Sequence, residues 1–250
     1  MVETLKGARV LVIGASAGIG RAVACAAIGQ GADVCVTARR KDALAELCAE
    51  AGGGTVVAGD LTDAGDCARI VDEAAGAMGA IDLILHAAGT GTMARIGEPD
   101  PAAWAMDHAV NVIGPTMLTA AALPHLAADA IVAFLSSEST GETRWGLSSY
   151  TASKAALDAT IRSWRVEHPE RRFLRIVMGA TMPTEFGSNF GQEVLGTAFE
   201  RWAAAGVSMT FMETEEVGRH LAETFAVLLA HPTIDVPDLC LDPRGEAWPT

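Results

Sequence analysis

No stretch of this 250-residue sequence approaches the roughly 18 unbroken apolar residues of a membrane-spanning helix. The opening Met1-Val-Glu-Thr-Leu-Lys6 runs straight toward a short strand, without the apolar core of a secretion signal. Basic residues are scarce: 18 Lys plus Arg face 31 Asp plus Glu, a net charge of −13. Nucleic acids and anionic membranes reward basic patches, so both are poor partners. Cys25, Cys35, Cys48, Cys67 and Cys240 are odd in number and form no Cys-x-x-Cys. They read as reduced thiols, which predicts a cytoplasmic protein. The six histidines show no zinc-ligand spacing, so no metal is expected. Linkers, internal repeats and low-complexity stretches are missing too, leaving one domain over residues 1–250.

What is present is apolar and regularly punctuated. Half the residues are apolar, enough for a core covered on both faces. Arg9-Val-Leu-Val-Ile13 is a continuous apolar run, as a buried parallel strand requires. It meets Gly14-Ala-Ser-Ala-Gly18-Ile-Gly20, then a good helix from Arg21 to Ile28. Strand, glycine-rich turn and helix in that order make a pyrophosphate site: glycines permit a tight turn and close backbone approach, and the helix N-terminus attracts negative charge.

Asp33-Val-Cys-Val-Thr-Ala38 is the second strand, followed by Arg39-Arg40-Lys41. A fold that prefers NAD usually has an acid at the end of this strand, for the ribose hydroxyls. Here Ala38 and two arginines stand there, and Asp33 is at the other end, roughly 15 Å away at strand rise. Guanidinium groups suit a 2′-phosphate, so the coenzyme expected is NADP(H) rather than NAD(H). The alternative is a solvated basic loop.

Strands and helices then alternate. A helix follows from Lys41 to Ala51, then a strand Thr55-Val-Val-Ala58 leading into Asp60-Leu61. Thr62 or Asp63 can cap the next helix, which ends near Met78. Ile81-Asp-Leu-Ile-Leu85 is a strand ending in His86-Ala-Ala-Gly89. A long helical region after Pro101 carries Asn111 and should kink at Gly114-Pro115. Ile131-Val-Ala-Phe-Leu135 ends at Ser136-Ser137, where a hydroxyl could hold a substrate oxygen. Phe173-Leu-Arg-Ile-Val177 is the sixth strand. An irregular stretch rich in large apolar groups follows, then a helix from Thr214 to Ala230 and a closing strand from Val236 to Leu241. Such alternation predicts an α/β fold, a doubly wound parallel sheet with helices on both faces and its site at the strand C-termini.

Tyr150-Thr-Ala-Ser-Lys154 opens an amphipathic helix, placing Tyr150 and Lys154 on one face. An ammonium beside a phenol favours the phenolate, so the Tyr150 pKa should fall from its reference near ~10. That would make Tyr150 a proton donor and acceptor. The pair alone is weak, because Tyr four residues before Lys is common on exposed helices.

With the glycine turn, Asp60-Leu61, Ala88-Gly89, Asn111, Ser137 and Tyr150-x-x-x-Lys154 in this order, the sequence from about residue 6 to 241 resembles the short-chain dehydrogenase/reductase family. The resemblance implies one Rossmann-type domain with about seven strands, a catalytic set of Asn111, Ser137, Tyr150 and Lys154, and often a homotetramer. It makes Tyr150 the general acid/base, Lys154 the group that lowers its pKa and bonds the nicotinamide ribose, and Ser137 the holder of the substrate carbonyl. Asn111 would order a water behind Lys154. Gly14, Ser16, Gly18, Ile19 and Gly20 would take the pyrophosphate side, Arg39 and Arg40 the 2′-phosphate, Asp60 and Leu61 the adenine, and Ala88 and Gly89 the ribose side. Gly179 and Thr181 are the contacts expected at the nicotinamide end.

Three places depart from the family pattern. Asn-Asn-Ala-Gly is His86-Ala-Ala-Gly89, with His86 read as strand-end packing. Pro-Gly is Met178-Gly179, and the usual threonine is Pro183, leaving Thr181 and Thr184 open as its replacement. The tail reads Asp242-Pro-Arg-Gly245, without the family's Gly-Gly ending.

The function expected is reversible hydride transfer between NADP(H) and a carbonyl/alcohol pair, run as reduction of a ketone or aldehyde. The alternative is a non-catalytic dinucleotide-binding sensor or scaffold on the same fold; a non-redox use of the coenzyme has no supporting feature. A substrate lid is expected at residues 182–212, walling the site together with Trp145 and residues 92–96. Its aromatic and Met content suits an apolar small-molecule partner, although the same side chains could simply pack the lid onto the sheet.

Overall fold

The computed structural model describes residues 3–187 and 190–244. Met1 and Val2, the lid residues Ser188 and Asn189, and the tail from Gly245 onward lie outside the described residues. Seven strands form one parallel sheet: β1 (Arg9–Ile13), β2 (Asp33–Thr37), β3 (Thr55–Val56), β4 (Ile81–His86), β5 (Leu126–Ser137), β6 (Arg172–Met178) and β9 (Asp238–Leu241), in the order β3-β2-β1-β4-β5-β6-β9. The remaining short strands, β7 (Thr181–Met182) and β8 (Met212–Glu213), pair separately.

The apolar strands are buried on both faces, and their alternation divides two cores. Val10, Val12, Val34, Val36, Leu83 and Leu85 face helices α1 (Gly18–Gly29), α2 (Lys41–Ala51) and α8 (Thr214–Ala230) through Val23, Leu44, Leu47 and Phe225. Leu11, Ile13, Ile84, Val132 and Phe134 face α3 (Ala64–Met78), α5 (Gly114–Ala122) and α6 (Ser148–Glu167) through Ile70, Leu118, Leu157 and Ile161. Helices α1 and α8 cross so closely that a Cβ on Gly218 would lie 2.5 Å from Ala22 Cβ.

The sheet order runs outward in both directions from β1 and β4, so a crevice opens beyond their C-terminal ends. The helical run predicted after Pro101 has its break slightly before Gly114. Helix α4 (Pro101–His108) passes into a π-turn at Ala109–Ile113, where the Gly114 N–H bonds Ala109 O, and continues as α5. Pro115 has no N–H to return to the carbonyl of Asn111, which explains a defect at this position. The irregular stretch after β6 contains a helix that the sequence reading missed, α7 (Gln192–Ala204).

Candidate active site

The glycine turn is built by close approach. Gly14 has φ +86°, and a Cβ there would fall 2.4 Å from Ala88 N, inside the backbone that ends β4. A Cβ on Gly20 would fall 2.4 Å from Gly14 O. Only glycines let the turn, the start of α1 and the end of β4 meet. Ala17 caps α1 without a side-chain hydrogen bond, so the first-turn N–H groups are left for an anion.

A cavity of about 690 Å³ opens from this turn. Gly14, Gly18, Ile19, Arg39, Asp60, Leu61, Ala88, Gly89, Ser137, Tyr150, Lys154, Gly179 and Thr181 line it, as does Thr184. Four predicted site residues stand off its wall: Ser16, Gly20, Arg40 and Asn111. Gly20 serves the turn itself. Arg40 turns instead to Glu185, donating to both of its carboxylate oxygens at 2.8 and 2.6 Å, and to Ser16 Oγ at 3.0 Å. Asp60 Oδ1 accepts from the Thr62 N–H and hydroxyl at 2.9 and 2.8 Å.

Asn111 lies behind the cavity, fully buried. Its side chain is committed: Oδ1 accepts from Thr90 N at 2.9 Å, and Nδ2 donates to Thr90 O at 2.7 Å and Ser153 Oγ at 2.8 Å. Pro115 leaves the Asn111 backbone carbonyl without its usual i+4 donor. Ser136 also borders the cavity, but its hydroxyl is committed to Asp158 Oδ1 at 2.6 Å, and Arg175 holds the other oxygen at 2.8 Å. Ser137, one residue on, faces the cavity and bonds the Tyr150 hydroxyl.

The expected lowering of the Tyr150 pKa is corrected by the structure. The ring keeps some solvent contact but packs under Phe186, with centroids 4.5 Å apart. This burial pushes the phenol up to about 12; the Ser137 hydrogen bond opposes the rise, and Glu138 and Asp107 add to it. Lys154, with its Nζ 5.9 Å from the ring centroid, does not offset the rise. Burial pushes Lys154 down to about 8, with Asp158 pulling back. The sequence argument counted the attraction and missed the desolvation. His86 is strand-end packing: it stacks on Phe134 at 4.7 Å, bonds Thr119 Oγ1 at 3.0 Å, and burial pushes it down to about 3.

The far half of the cavity is aromatic. Phe186, Phe190, Phe199, Trp202 and Phe211 line it, with Met182 and Met209. Beside Ser137, the wall also carries Arg144, paired with Glu138 at 3.1 Å. Trp145 and residues 92–96 do not reach this wall. Trp145 instead meets α7, its carbonyl accepting from Trp202 Nε1 at 3.0 Å and its ring lying 5.4 Å from Arg201. Thr92, Ala94, Arg95 and Ile96 surround a separate small pocket.

A dinucleotide fits the groove on this structure's own terms. The glycine cradle leaves no room for a side chain, and the buried Lys154 ammonium makes one hydrogen bond among the described residues, to Leu135 O at 2.8 Å. Its other donors can meet ribose hydroxyls at the cavity wall. Residues 8–195 match the short chain dehydrogenase family. The chain belongs to that family.

This short-chain dehydrogenase family member is 32% identical over 206 residues to 11-beta-hydroxysteroid dehydrogenase-like 2 of Arabidopsis thaliana, covering 79% of this chain and 66% of that protein. It is 31% identical over 198 residues to L-xylo-3-hexulose reductase of Hypocrea jecorina, covering 68% of this chain and 65% of that one. The chain therefore spans just under two thirds of the length of these curated relatives. An alcohol dehydrogenase from the archaeon Thermococcus sibiricus, solved with 5-hydroxy-NADP, shares the fold at a TM-score of 0.81 and 22% identity, over 97% of this chain and 100% of that one. The family member is accordingly of an oxidoreductase family that uses NAD(P)(H). Among its described residues, no helix is long and apolar enough to cross a membrane, and no cluster of His, Cys, Asp or Glu could hold a metal ion.

Proposed function

We propose that the protein is an NADP(H)-dependent oxidoreductase acting on a carbonyl/alcohol pair, with reduction of an apolar ketone or aldehyde as its working direction. The observation that carries this reading is the meeting of Ser137, Tyr150 and Lys154 on one cavity wall, with the glycine turn at one end and aromatic side chains at the other. Bound coenzyme would supply the hydride to the carbonyl carbon. Ser137 holds the carbonyl oxygen by hydrogen bonding, and the Tyr150 hydroxyl gives that oxygen its proton. Lys154 holds the ribose and returns a proton toward Tyr150, with the Asn111 carbonyl available to a water behind it. Arg39, exposed and on the cavity wall, is the first candidate for the 2′-phosphate. Residues 1–250 act as one domain, with residues 182–212 as the lid, in a homo-oligomer.

A panel of apolar ketones and aldehydes with NADPH tests the proposal through coenzyme oxidation. Tyr150→Phe removes the proton donor and leaves the glycine turn and Lys154 intact. Turnover should fall by at least the ~10²–10⁴-fold credited to general acid–base catalysis, with NADPH affinity retained by calorimetry. A Phe variant that reduces an accepted substrate at the parental rate would rule out the assigned role. Absence of turnover with every carbonyl, together with intact coenzyme binding, would favour the sensor alternative.

A further inference from the structure

Arg40 stands just past the end of β2 that discriminates the two coenzymes, yet the lid already occupies its guanidinium. Glu185 accepts from both terminal nitrogens, at 2.8 and 2.6 Å, and Ser16 Oγ lies 3.0 Å from one of them. Glu185 lines the cavity beside Arg39, whereas Arg40 does not. The paired side chains are 52% and 55% exposed, so a competing anion can reach the pair. A carboxylate offers one charge; a phosphate monoester offers about 1.5 to 2 and three acceptor oxygens. Both suit the same guanidinium fork.

We propose that Glu185 is a coenzyme-selectivity residue that acts through Arg40. Its carboxylate withholds the Arg40 guanidinium from a 2′-phosphate and repels that phosphate from the cavity mouth. The preference for NADP(H) over NAD(H) is therefore smaller than two free arginines would give. NAD(H) has a hydroxyl at the 2′ position and makes no charge demand on Arg40, so the penalty falls on one coenzyme only. The inference rests on the dinucleotide reading given above.

Calorimetric titration of NADP⁺ and NAD⁺ into the unmodified protein, Glu185→Gln, Arg40→Ala and the double variant tests it without any substrate. An exposed ion pair is worth little in isolation, so the expected gain is modest. Glu185→Gln should bind NADP⁺ roughly three- to tenfold more tightly, with NAD⁺ changed by less than about twofold. In the Arg40→Ala background, the Gln substitution should no longer change the NADP⁺-to-NAD⁺ ratio. Equal tightening of both coenzymes would mean that only a negative charge had been removed, and would overturn the role of Arg40. An unchanged ratio, or weaker NADP⁺ binding, would overturn the inference while the proposed function stands. Failure of the unmodified protein to bind either dinucleotide would remove the proposed function itself and this inference with it.

Discussion

Tyr150 is the only tyrosine in the chain, so tyrosinate absorbance reports its ionisation without labelling. Burial, against the Ser137 hydrogen bond, pushes it up to about 12. The folded value thus lies above the unfolded reference near ~10. Stability from this group is fully present below about pH 10 and is lost as pH rises through about 12, because the unfolded chain ionises first. At about pH 10.5 the native, coenzyme-free protein should show little tyrosinate, and the urea-unfolded protein should show most of it. Ser137→Ala removes the opposing hydrogen bond and should delay ionisation further. Substantial native tyrosinate at that pH, with circular dichroism unchanged, would refute the burial account. A phenol kept neutral at ordinary pH carries the proton that reduction needs and cannot act as the base of the reverse reaction, but a pKa this far above the operating pH makes it a weak acid until substrate and coenzyme change its surroundings.

Helices α1 and α8 carry an element-level test in Gly218, because propensity and packing predict opposite signs there. Replacing a mid-helix glycine by alanine gains up to ~1 kcal/mol of helix propensity. At Gly218 the new Cβ would lie 2.5 Å from Ala22 Cβ and 2.7 Å from its carbonyl carbon. Overpacking of this kind costs about 1–3 kcal/mol, so Gly218→Ala should lower the urea midpoint. Gly196 in α7 has nothing within 4 Å of a Cβ, and Gly196→Ala should raise the midpoint or leave it unchanged. A stabilised Gly218→Ala protein would show that the crossing relaxes. These elements also mark what the sequence made legible. Helices α2 and α8 match their predicted bounds, because Gly52 and Pro232 give clear stops after their apolar runs. Helix α7 was missed although Leu195, Ala198, Phe199 and Trp202 recur at helical spacing, since surrounding glycines and aromatics hid the period. The glycine turn was legible as a local pattern, whereas Ser137 was separated from Ser136 only by the family resemblance. The Arg40–Glu185 pair joins positions 145 residues apart, and the Tyr150 pKa depends on burial; neither has a local signature.

The molecule carries a net charge of −13, which opposes self-association at low ionic strength, yet one helical run leaves large apolar groups uncovered. Met106, Ile113 and Met117 are 51%, 56% and 42% exposed along α4, the π-turn and α5, and Val166 on α6 is 79% exposed. Single exposed apolar side chains are ordinary. Ile113 and Met117, four residues apart and next to a second helix with its own exposed valine, form a face that water covers at a cost. Covering it would need about 800 Å² per partner for a stable interface. The proposed homo-oligomer buries this face between copies, in dimers or tetramers. Light scattering at micromolar concentration should therefore give a mass well above one chain, and added salt should raise it further by screening the like charges. Ile113→Glu with Met117→Glu puts two more negative charges on the face and should yield single chains with unchanged circular dichroism. A single-chain mass for the unmodified protein across the salt range would refute the assembly; an unchanged oligomer in the double variant would move the interface elsewhere.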